Sequence, residues 1–67
     1  MKRRTEHPGP GIRARRIASG LTQEELARLA QVSLATIARV EASRCRPNPL
    51  TLSAIERVLA RHASAGR

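Results

Sequence analysis

Apolar residues recur at helical spacing in four stretches of the chain, and each stretch is bounded by residues suited to start or stop a helix. The first covers 12–19, with Pro10 or Gly11 able to open it and Gly20 able to close it. In the second, Thr22-Gln23-Glu24-Glu25 has the spacing of a capping box. There the threonine hydroxyl accepts from the amide three residues on and the Glu25 carboxylate reaches back, which predicts a helix over 23–30. Gln31 and Val32 alone separate it from Ser33, the next residue fit to be an N-cap, so two helices meet across a very short turn. Ile37 and Val40 mark the inward face of the third helix, which is expected over about 34–43. It should stop there because Arg46-Pro47-Asn48-Pro49 biases the residues before its prolines toward extended backbone. Asn48 then caps a fourth helix with Pro49 as its first residue and Leu52, Ile55 and Leu59 at spacings of three and four. No strand pattern competes, and the fold class is all-α.

A length of 67 residues allows one compact domain. Its candidate core is drawn from Ile12, Ile17, Leu21, Leu26, Leu29, Val32, Leu34, Ile37, Val40, Leu50, Leu52, Ile55, Val58 and Leu59. Pro8, Gly9, Pro10 and Gly11 cannot sustain a helix interior, so the polar start of the chain reads as a mobile arm with Lys2, Arg3 and Arg4 near its tip. The expected division is a basic arm over 1–9, the folded domain over 10–62 and a fraying tail over 63–67.

With Ile37 and Val40 facing the core, a rotation of about 100° per residue points Ala35, Arg39 and Ala42 outward, flanked by Thr36, Ala38 and Ser43. That face is small-sided, holds no acid and carries one long cation, so a nucleic-acid groove can approach it closely. An ordinary solvated helix face remains the alternative, because alanine is also a good helix former.

Charge sharpens the choice of partner. Thirteen Lys or Arg stand against five Glu and no Asp, a net charge of +8, which implies an anionic partner. The absence of Phe, Trp and Tyr removes the stacking platforms on which most single-strand and RNA-binding surfaces depend. Duplex DNA is left as the natural candidate.

The run Arg16-Ile17-Ala18-Ser19-Gly20-Leu21-Thr22-Gln23-Glu24-Glu25-Leu26-Ala27, continued by Val32-Ser33-Leu34-Ala35-Thr36-Ile37-Ala38-Arg39-Val40-Glu41, resembles the helix-turn-helix regulators of the lambda repressor, Cro and XRE type. The resemblance covers 12–59, with the helix-turn-helix itself at 22–43. It implies a four-helix lambda-repressor-like DNA-binding domain, here without a full fifth helix. It also implies a homodimer that binds double-stranded DNA at two half-sites and most often represses transcription. Residue by residue, Gln23 resembles the family's glutamine that bonds a phosphate or the neighbouring side chain. Ser33 falls on a phosphate-contacting position, and Leu34, Ala35, Thr36 and Arg39 fall on positions directed at base edges, with burial an equal alternative for Leu34. Arg44 and Arg46 lie in the loop placed beside the backbone. Arg13 and the cations of the arm are weaker candidates of the same kind. Arg16 and Glu41 resemble the family's partly buried ion pair between the first helix and the end of the third. Two departures stand out: Gln31 occupies a turn position where the family has Gly, and Ala42-Ser43 replaces Asn-Gly.

Catalysis finds no support, because His7 and His62 fall outside the periodic helices and no acid pair or nucleophile arrangement accompanies them. One Cys and two distant His make no zinc site, so no metal or cofactor is expected. Cys45 cannot form an internal disulfide and reads as a surface cysteine. The basic start is not followed by an apolar stretch, which argues against a secretory signal or a membrane span and for a cytoplasmic location. Beside the regulator reading stand an antitoxin-type autoregulator, a protein-interaction adaptor on the same fold and a nonspecific nucleic-acid-binding module.

Overall fold

The computed structural model describes residues 7–65, which form α1 (Gly9–Ala18), α2 (Gln23–Ala30), α3 (Leu34–Glu41) and α4 (Pro49–Ala65), with no strand among them. α1 and α2 each pack against both α3 and α4, so the contacts run round a ring in the order α1, α3, α2, α4. The two outer partners, α3 and α4, therefore lie at opposite corners. Ile12, Leu26, Ile37, Val40, Ile55 and Leu59 are fully buried where the four helices meet. Every helix contributes at least one of them, so no helix can detach without opening the core.

The helix starts follow from side-chain caps. Thr22 Oγ1 accepts from Glu25 N at 3.0 Å while Thr22 N donates to Glu25 Oε1 at 2.9 Å, completing the capping box. Ser33 Oγ accepts from Thr36 N at 3.0 Å, and Asn48 Oδ1 accepts from Thr51 N at 2.8 Å. α1 begins earlier than the spacing predicts, at Gly9 instead of Pro10 or later. Pro10 sits in the first turn, where a helix has no partner for its N–H anyway, and Ile12 N reaches Pro8 O at 3.0 Å. The remaining arm, residues 1–6 with Lys2, Arg3 and Arg4, lies outside the described residues. α3 ends at Glu41, two residues before the expected stop, and α4 continues to Ala65, past the expected limit near His62.

The first three helices end alike. Gly20, Gln31 and Ser43 have φ of 76°, 61° and 62°, and the next residue's N–H turns back five positions in each case. These bonds are Leu21 to Arg16 O at 3.1 Å, Val32 to Ala27 O at 2.9 Å and Arg44 to Arg39 O at 2.8 Å. Glycine meets no Cβ penalty at such an angle, whereas glutamine and serine do. Gln31→Gly is therefore expected to stabilise the domain by up to about 1 kcal/mol, read as a higher urea midpoint at unchanged slope. An unchanged or lower midpoint would show that the turn carries no strain.

Candidate nucleic-acid interface

The α3 surface is built from the core outward. Ile37 and Val40 are fully buried, and Glu41 beside them is 7% exposed, which fixes the rotation of the helix. Leu34, Ala35, Arg39, Ala42 and Ser43 are then exposed, while Thr36 and Ala38 are half-buried. Leu34, for which the sequence left burial open, is 48% exposed. It lines an open groove with Ile17, Gly20, Leu21, Thr22 and Gln23, so the start of α3 and the start of α2 share one face.

That face is held by a buried polar cluster. Arg16 Nε donates to Glu41 Oε2 at 2.7 Å and Arg16 Nη2 to Glu41 Oε1 at 3.1 Å, a two-pronged contact with the side chains 12% and 2% exposed. Arg16 Nη1 donates to Leu21 O at 2.7 Å, and Gln23 Nε2 donates to Glu41 Oε1 at 3.1 Å. The Glu41 carboxylate thus ties α1 and the start of α2 to the end of α3, and Arg16 carries the connection on to the turn after α1. Gln23 engages the neighbouring side chain through its amide nitrogen, which carries a second N–H.

The remaining candidates are placed as follows. The hydroxyl of Ser33 caps α3 and lies 2.8 Å from Thr36 Oγ1, so one of the two hydroxyls donates to the other and a single O–H of the pair is left at the start of the helix. Arg44 and Arg46 are exposed in the segment between α3 and α4. Arg13, Arg39 and Arg44 have no acidic partner among the described residues, because Glu25 serves a cap, Glu41 holds Arg16 and Glu56 holds Arg15 at 2.6 Å. Glu24, exposed at the start of α2 in the same groove as Leu34, is the remaining acid among the described residues and makes no ion pair, so Arg13, Arg39 and Arg44 stay available.

His7 was not among the expected site residues, yet it braces this surface. Its Nδ1 accepts from Gly9 N at 2.9 Å, which leaves the proton on Nε2, and Nε2 donates to Cys45 O at 2.9 Å. The start of α1 is thereby bound to the segment that carries Arg44 and Arg46. The sequence offers no signal for this, since the two partners are 38 positions apart and one of them is a backbone carbonyl.

Residues 12–64 match the model of a helix-turn-helix family, whose regulators include those of the lambda repressor and XRE type. The chain belongs to that family. As a helix-turn-helix protein it is a DNA-binding regulator, in a family of regulators and not of enzymes. No characterised protein and no solved structure matches the chain. Among the described residues no helix is long and apolar enough to cross a membrane, and no three His, Cys, Asp or Glu side chains are grouped to hold a metal ion.

Proposed function

We propose that this helix-turn-helix protein is a sequence-specific regulator of transcription, acting in the cytoplasm as a repressor, that lays α3 in the major groove of duplex DNA. The observation that carries the reading is the exposed, acid-free face of α3, with small residues around a single unpaired cation, Arg39. Ala35 and Thr36 let the helix approach base edges closely, Leu34 offers apolar contact to a thymine methyl, and Arg39 has the reach and geometry for guanine O6 and N7. Gln23 and Ser33 serve phosphates at the starts of α2 and α3, and Arg44 and Arg46 lie along the backbone. Two copies on half-sites about 34 Å apart complete the arrangement.

Selection from a random duplex library, followed by affinity measurements on the enriched site, tests this. Arg39→Ala is expected to cost about 2 kcal/mol on the enriched site and to relax preference at particular base pairs. Arg44→Ala should weaken binding to all duplexes alike and reduce the salt slope by about 1. If no motif is enriched, or if Arg39→Ala binds the motif as tightly as the parent, α3 does not read sequence.

A further inference from the structure

A second surface lies away from α3. The last turn of α2 and the middle of α4 enclose a groove of about 280 Å³, lined by Leu29, Ala30, Gln31, Ala54, Arg57, Val58 and Arg61, with no residue of α3 among them. Its volume is below that of ordinary small-molecule sites, which run from about 300 to 1,000 Å³, and suits one or two side chains pushed in from a partner. Leu29 at its edge is 47% exposed, while Ala30 and Val58 form a buried floor. Ala54, Arg57, Val58 and Arg61 follow the spacing that puts residues on one face of a helix, so the two guanidinium groups stand in a row beside an apolar strip.

Charge identifies the occupant. Arg57 and Arg61 are exposed and pair with no acid among the described residues, and Arg28, next to Leu29, does not either. A second copy of this chain is a poor complement. Among the described residues its Glu25, Glu41 and Glu56 are already engaged and Glu24 lies in the groove beside Leu34, so one carboxylate is on offer to two or three guanidinium groups, and its excess of cations would face the same cations across the contact. We propose that the α2–α4 groove docks an acidic amphipathic helix of another protein, which inserts an apolar side chain against Leu29 and Val58 and sets carboxylates on Arg57 and Arg61. Since the site shares no residue with the α3 surface, it stands whether or not α3 reads a DNA sequence.

The test is display selection of random helical peptides on the intact chain, followed by titration of the enriched peptides. The expected winners combine Asp or Glu with Leu, Ile or Phe at spacings of three and four. Replacing their acids by Gln should weaken binding at least tenfold. Leu29→Glu, and separately Arg57→Glu with Arg61→Glu, should abolish peptide binding while circular dichroism and, at about 0.15 M salt where charges far from the duplex are screened, duplex affinity stay close to the parent's. Arg13→Glu with Arg44→Glu changes the net charge equally and should leave the peptide in place. Three outcomes overturn the proposal: winners without the acidic and apolar pattern, equal losses in the two charge-reversed pairs, or self-association of the chain that Leu29→Glu abolishes.

Discussion

Glu41→Ala is expected to leave the domain largely unfolded at ordinary temperature. The carboxylate is almost fully buried and accepts from Arg16 Nε, Arg16 Nη2 and Gln23 Nε2, so its removal strands a guanidinium that is itself only 12% exposed. Breaking a buried pair in this way costs about 3 to 5 kcal/mol, because the surviving charge keeps its desolvation penalty and loses its partner. A single core in a chain this short rarely supplies more than about 3 to 5 kcal/mol in total. Urea denaturation followed by helix content should show little or no folded baseline for Glu41→Ala. Arg16→Met combined with Glu41→Leu, which removes both charges and keeps the volume, should regain much of the loss. A cost under 1 kcal/mol for Glu41→Ala would place the pair with ordinary surface ion pairs and contradict its burial.

Gly9→Ala is expected to destabilise by about 3 kcal/mol, at the upper end for overpacking, because the obstacle is backbone and cannot rotate away. Gly9 is buried in the first turn of α1, and a Cβ there would overlap the carbonyl oxygen of Val40 and come within 3.0 Å of His7 Nδ1. The two helices touch main chain to main chain at this point. Gly11, two residues on, has open space where its Cβ would be, so Gly11→Ala is the matched control. That substitution should leave the thermal midpoint unchanged or raise it, since alanine favours the helix. Equal midpoints for the two alanine variants would mean that α1 does not approach α3 this closely.

The contrast between these glycines also shows how far the residues alone carry a reader. Gly9 and Gly11 look identical in the sequence, as part of a Pro and Gly run, and only three-dimensional packing separates a buried contact from an open one. The starts of α2, α3 and α4 were legible because a cap is local, made by a side chain and an amide three residues apart. The turn after α2 was legible only through the family resemblance, which marks Gln31 as standing where the family has Gly, and its φ of 61° shows that the glutamine adopts the left-handed conformation itself. The core was legible in outline, but Ile17, Leu29, Leu34 and Leu50 are exposed because a periodic pattern gives a wide apolar stripe and not its edges. On the α3 surface, the rotation followed from Ile37 and Val40. The bracing by His7 depends on a contact between distant segments, which no local rule anticipates.

The His7 bridge governs how this protein should be handled as well as how it is built. Because His7 lies on Cys45, anything fused ahead of residue 7 emerges next to the segment bearing Arg44 and Arg46. A fluorophore joined directly to residue 7 would stand beside the proposed duplex site, where its bulk or charge is expected to change the measured affinity. α4 packs chiefly against α1 and α2, so a label after α4 is the placement to compare with it in the same binding assay.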